Sequence, residues 1–344
     1  MNKKGVWPHE SFFIDDEMLW FVPYYYGILC GYNMNEHRIT RTKLLTENIK
    51  DIDRYINVIK YNNFIISIPS YENVVKVFDV NNDDIIDYET IKRNAEKYFP
   101  AIILNDKALI FPFEAESIIE ISFKKGTPVF EEYPVSEKGF VACQIIGESV
   151  YLVKQNGGIY TYNTESHSIS NIYYTDAIFV DISVEDERLY LVDLHGNIYI
   201  YDIEKKIISK IYESSERYHS IAIREGFVYA FPEKEGMYID KISIDKRSIE
   251  KRIQLSNCAL DSEWKWMAFS RTKVKNRKIY VTNIKRQEFL VIDENDNVLY
   301  HIMECPELKY DEKILVLEAT NSKECLFENL DLGIDLSFFL KAIQ

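Results

Sequence analysis

Short apolar runs closed by proline punctuate the chain: Leu19 to Pro23, Phe64 to Pro69, Leu109 to Pro112 and Phe227 to Pro232. Successive closing prolines lie 46, 43 and 120 residues apart, and the last gap is three periods of 40, so two degenerate copies are predicted between them. They stand where the spacing puts them, as Val150 to Val153 followed by Gly158 to Tyr162, and Leu189 to Val192 followed by Gly196 to Asp202. A last copy, Lys278 to Val281 followed by Phe289 to Asp293, arrives late, which is read as the effect of a polar insertion, Arg271 to Arg277. The pattern therefore predicts seven units.

Each unit reads as four strands: a first strand, the apolar anchor strand, a third ending in Asp or Asn, and a more polar fourth such as Arg38 to Leu45, Ser168 to Tyr174, Ile207 to Tyr212 or Val298 to Met303. Anchor strands are expected near Trp20, Ile66, Ile110, Leu152, Leu191, Tyr229 and Tyr280. Small sheets repeated about every forty residues bury their faces on their neighbours when arranged radially, so the expected fold is all-β, a seven-bladed β-propeller over 10–303. First strands with a mid-strand alanine fit crowding near a central axis: Phe140 to Cys143, Ser220 to Ile223 and Trp266 to Phe269. A two-sheet sandwich or a pair of β domains would need a boundary, and no Pro/Gly/Ser-rich linker interrupts the array.

Composition agrees, with 25 Tyr and 19 Phe in 344 residues, 47% hydrophobic overall and only 12 Gly. A formal charge of −14, from 41 Lys and Arg against 55 Asp and Glu, argues against a nucleic-acid partner. Residues 1–13 lack the unbroken apolar stretch of a signal peptide, and no eighteen-residue apolar run occurs, so the expectation is a cytoplasmic chain without a membrane span. Five well-separated cysteines, Cys30, Cys143, Cys258, Cys305 and Cys325, suggest neither a disulfide framework nor a zinc site.

The middle units, Val150 to Tyr162 and Leu189 to Asp202, carry a strand, a glycine turn and a second strand leading to Asn or Asp. In this they resemble the repeats of PQQ-type and WD40-type propellers, and the proline that ends the anchor strands resembles uncharacterised propeller proteins of Firmicutes. The resemblance covers two of the seven units and implies shape. With no Trp-Asp dipeptide and no Gly-His pair, it implies neither the quinone cofactor nor catalytic residues, and no cofactor is expected.

Two flanks lie outside the array. Residues 1–9 read as an arm, and 304–344 as an extension with a candidate closing strand, Lys313 to Glu318, and a short helix at Asp335 to Ile343. Asp335 or Ser337 would cap that helix, and Phe338, Phe339, Ala342 and Ile343 would give it an apolar face.

Candidate chemistry is sparse. Asp79-x-Asn81-x-Asp83 and Asp293-x-Asn295-x-Asn297 alternate oxygens as a calcium loop does, but Asp84 and Val298 occupy the glycine position, so both read as polar turns. The six histidines show no ligand spacing. His219, with Arg217 beside it at the entry to a first strand, Asp181 within another and Arg224 just past the end of the sixth, are the candidates for an acid, a base and a cation at the central opening. Tyr24, Tyr25 and Tyr26, and Trp264 with Trp266 on one strand face, are the candidate binding aromatics, for stacking on sugars or anchoring a protein. The basic run Arg271 to Lys278 reads as a solvated hairpin turn. The expected function is a non-catalytic interaction or scaffold module binding a protein or glycan. The alternative is a carbohydrate-active lyase or hydrolase using the polar groups at the central opening.

Overall fold

The computed structural model describes residues 8–23, 27–46, 55–70, 73–90, 98–124, 126–234, 237–255, 268–284 and 288–302. These form seven antiparallel four-stranded sheets, each made of four consecutive strands in meander order, arranged as a β-propeller. Blade 1 spans 8–44, blade 2 55–89, blade 3 98–134, blade 4 140–174, blade 5 179–212, blade 6 218–254 and blade 7 273–302. The expected arm, 1–9, lies outside the described residues apart from Pro8 and His9, which begin the first strand. The expected C-terminal strand and helix also lie outside them.

All seven anticipated anchors fall in second strands, from Met18–Pro23 of blade 1 to Lys278–Asn283 of blade 7. Second strands lie mid-blade and are covered on both faces by adjacent blades, which explains runs that are apolar throughout rather than alternating. Phe64–Pro69, for instance, is buried at every position. Outer strands such as Arg38–Leu44 and Ser248–Gln254 are largely exposed, which explains their polarity. The closing prolines pair with the first residue of the inner strand, as in Tyr55 with Pro69 and Tyr218 with Pro232, where a bulge ends regular pairing and a missing N–H costs nothing.

Buried clusters fill the seams between successive blades, for example Val75 and Ile66 of blade 2 with Ile110 and Ile119 of blade 3, or Phe231 and Tyr229 of blade 6 with Leu290 and Ile279 of blade 7. Blade 7 closes onto blade 1 through side chains. Phe12 meets Phe289 edge-on at 5.3 Å, Lys275 Nζ donates to the Ile14 carbonyl (3.2 Å), and His301 stacks on His37 with ring centroids 4.9 Å apart. The His301 and His37 Nδ1 atoms are 3.2 Å apart, and Tyr32 Oη is 3.4 Å from His301 Nδ1.

Two turn glycines are required by geometry. Gly157 and Gly196, the turn glycines of blades 4 and 5, adopt φ of +82° and +86°, and a Cβ at either would stand 1.9 Å from the carbonyl oxygen of Thr175 or Glu216. The repeated strand–glycine–strand pattern thus reflects a close approach of the chain leading into the next blade.

The last blade departs from the sequence reading. Its innermost strand is Lys273–Lys275, inside the basic run expected to be a hairpin turn, whereas Phe269, expected to lie in a first strand, makes only an isolated bridge to Asn283. An inner strand that borders a water-accessible axis needs no apolar alternation, so periodicity passed over it.

Candidate functional site

The seven innermost strands converge on an axial cavity of about 440 Å³. All blades contribute: Ser11 from blade 1, Asn57 from blade 2, Phe99 from blade 3, Cys143 and Gln144 from blade 4, Asp181, Ser183 and Glu185 from blade 5, Ile221 and Ile223 from blade 6, and Lys273 with Val274 from blade 7, preceded by Arg271 and Thr272.

Bulges set the aim of several of these side chains. In blades 4, 5 and 6 the inner strand shifts register after its first residue, between Phe140 and Ala142, Phe179 and Asp181, and Tyr218 and Ser220. A bulge turns the residue that follows it. Asp181 is thereby directed at the neighbouring strand, where its carboxylate accepts hydrogen bonds from Ser220 Oγ (2.6 Å) and the Ile221 amide (3.1 Å).

The chain leading into blade 7 then docks on blade 6 at Thr272. Thr272 donates its amide to Ser220 Oγ (3.0 Å) and its hydroxyl to the Ile221 carbonyl (2.7 Å). This attachment carries Arg271 over the axis. Its Nη1 donates to Asp181 Oδ1 (2.7 Å) and to the Val180 carbonyl, and its guanidinium lies 5.2 Å from the ring centroid of Phe99. Both carboxylate oxygens of Asp181 therefore accept hydrogen bonds from the protein. Glu185 is committed as well, since its carboxylate accepts the amides of Glu225 (2.7 Å) and Gly226 (3.3 Å) in the turn of blade 6.

Lys273 differs from both. Its side chain is open to the cavity, yet it stands deep enough in the ring that burial pushes its ammonium below the ordinary lysine range, against the upward pull of Cys143 and Asp181. Among the described residues no carboxylate forms an ion pair with it. Cys143, on blade 4, is close enough for Lys273 and Arg271 to act on its thiol, but burial prevails and pushes the thiol up to about 12, leaving it protonated at neutral pH.

The residues expected at the opening are only partly gathered there. Asp181 lines the cavity; His219, Arg217 and Arg224 do not. Arg224 is buried in the seam between blades 6 and 7, where Nη1 donates to the carbonyls of Arg277 (3.0 Å), Ile292 (3.2 Å) and Asp293 (2.6 Å), and Nη2 donates to Tyr229 Oη (2.6 Å) and Asp296 Oδ1 (2.7 Å). Lys241 Nζ meets the other Asp296 oxygen at 2.7 Å, and the two cations hold the Asp296 carboxyl below the usual range although burial pushes it up. Arg217 lies 4.0 Å from Glu233, and His219 is half-buried within the inner strand of blade 6. Tyr24, Tyr25, Tyr26, Trp264 and Trp266 lie outside the described residues. Arg271 and Lys273 were missed as cavity residues, and their one signal was the concentration of basic residues in an acidic chain.

The calcium-like strings are turns. Asp293 Oδ1 accepts the amides of Asn295 and Asn297, both at 2.9 Å, and Asp79 Oδ1 accepts that of Asn81 at 2.9 Å. Among the described residues no group of three or more His, Cys, Asp or Glu is placed to hold a metal ion.

No protein-family model matches the chain, and no curated protein matches it. Solved structures do. A streptogramin B lyase aligns with a TM-score of 0.62 at 13% identity, over 82% of this chain and 91% of the other. The computationally designed Ika8 protein gives 0.59 at 10% identity, over 90% and 94%. BamB from Moraxella catarrhalis gives 0.56 at 10% identity, over 81% and 82%. At these identities the likeness is one of fold.

Proposed function

We propose that the chain is a non-catalytic interaction module of the cytoplasm that receives a protein or glycan partner, with the axial cavity as its small-ligand end. One observation carries this reading. Both carboxylates that line the cavity are spent on structure, Asp181 on Arg271, Ser220 and Ile221, and Glu185 on the amides of Glu225 and Gly226. An acid–base pair free to exchange protons with a substrate would look different. The cavity's volume, about 440 Å³, lies in the range of small-molecule pockets, and its lining mixes Asn57, Gln144 and Ser183 with the face-forming ring of Phe99.

The test is calorimetry against neutral oligosaccharides and uronates, with product analysis of each mixture. Binding with intact ligand is the expected result; cleavage of any ligand would overturn the reading. A second reading, the carbohydrate lyase or hydrolase, is favoured by Lys273, whose lowered ammonium pKa makes a neutral amine more accessible as a base. The streptogramin B lyase among the structural neighbours shows that a chain of similar fold bears that name. Under this second reading Lys273→Met would abolish turnover.

A further inference from the structure

We propose that the axial cavity binds a ligand through a carboxylate, held by Lys273 at the centre of the ring. The inference rests on the cavity being a binding site and adds the chemical class of its occupant.

Charge compensation inside the cavity leads to it. Four charged side chains line the space among the described residues: Asp181, Glu185, Arg271 and Lys273. Arg271 is neutralised by Asp181 at 2.7 Å, a carboxylate that also takes two hydrogen bonds from blade 6. Glu185 turns outward to the amides of Glu225 and Gly226. Lys273 is exposed to the cavity and, among the described residues, is the cation of the four with no ion pair. An ammonium that faces a cavity without an ion pair is free to donate charge-assisted hydrogen bonds to an anionic ligand.

The position adds selectivity. Lys273 comes from blade 7 and lines the same cavity as Cys143 of blade 4 and Asp181 of blade 5. A ligand there would be reached from several blades at once. Gln144 donates Nε2 to the Ile182 carbonyl (3.2 Å), which leaves its Oε1 as an acceptor for a ligand hydroxyl. A single lysine without an ion pair among the described residues, in a chain of net charge −14, matches a monoanion better than a phosphate dianion. A hydroxylated carboxylate of sugar size, such as a uronate, satisfies the volume, the single charge and the neutral polar lining together.

The test is isothermal titration of the full chain with galacturonate, with galactose as its neutral counterpart and with inorganic phosphate. Galacturonate should bind in preference to both, and Lys273→Met should weaken it roughly tenfold to a hundredfold, the scale of a charge-assisted hydrogen bond. Lys273→Arg should retain most of the affinity. An unchanged thermal midpoint in both variants keeps a folding defect from imitating the loss. Equal binding of galactose and galacturonate, or galacturonate affinity indifferent to Lys273→Met, would sink the carboxylate site while leaving a binding cavity. Tighter binding of phosphate would overturn the choice of a carboxylate. Binding of none of the three would overturn the site and the small-ligand end of the proposed function together.

Discussion

Two places in the ring gather cations, and they treat them differently. At the seam between blades 6 and 7, Arg224 and Lys241 converge on Asp296, and the carbonyls of Arg277, Ile292 and Asp293 take up further donors of Arg224. At the axis, Arg271 is matched by Asp181, but Lys273 is matched by nothing among the described residues. The seam gives each of its cations an ion pair and serves as a staple between two blades. The axis leaves one charge open to a cavity, which makes it a place where something else can complete the set. The same residue types therefore support structure in one region and recognition in the other, and the count of partners tells them apart.

Breaking the seam should have the largest effect. Asp296→Ala leaves Arg224 and Lys241 without a counter-ion, and Arg224 is only 4% exposed, so a loss of about 3–5 kcal/mol in urea-induced unfolding is expected. A loss below about 1 kcal/mol would mean that the surrounding carbonyls suffice. Asp181→Asn is the matching change at the axis. It should cost less, about 1–3 kcal/mol, because Arg271 borders the cavity and keeps the Val180 carbonyl. It should also tighten galacturonate binding by leaving a second cation open, and weaker binding would show that Asp181 itself orients the ligand.

The seam between blades 7 and 1 allows a third comparison, since it includes a stacked pair of imidazoles, His37 and His301. Burial and the neighbouring His37 hold His301 below its ordinary value of 6.5. The folded ring then binds fewer protons than the unfolded chain, so this contribution to stability is present above that value and is lost as pH falls through the lowered one. Thermal midpoints measured down from neutral pH should drop in that window, and His37→Ala should lessen the drop. A profile that does not change with His37→Ala would detach the seam from the effect. Smallest of all should be the stability change of Lys273→Met, within about 0.5 kcal/mol, because no protein contact is lost. A large destabilisation there would reveal that the lysine is structural after all.

The ring was legible in the sequence because second strands are covered on both faces, and continuous apolar runs survive as a signal even in blades 4 and 5, where the closing proline is absent. The axis was much less so. Asp181 stood out as an acid inside an apolar strand, but its partners Ser220 and Arg271 lie 39 and 90 residues away, across two different blades. Arg224 looked like an axial cation for the same reason, since strand position alone does not tell whether a terminal side chain turns to the axis or, as here, toward Asp296, 72 residues further on. Lys273 was hidden in a run that reads as a solvated turn, because an inner strand of three residues facing water carries no hydrophobic period. Only the folded ring brings that run to the centre.

The central claim, that Lys273 at the axis pairs with the carboxylate of a ligand, is tested most directly by a crystal structure of the full chain with galacturonate. The account predicts electron density in the axial cavity with a carboxylate oxygen within about 3 Å of Lys273 Nζ, and the Arg271–Asp181 pair undisturbed. A galacturonate held elsewhere on the ring, or one in the cavity with its carboxylate turned away from Lys273, would contradict it.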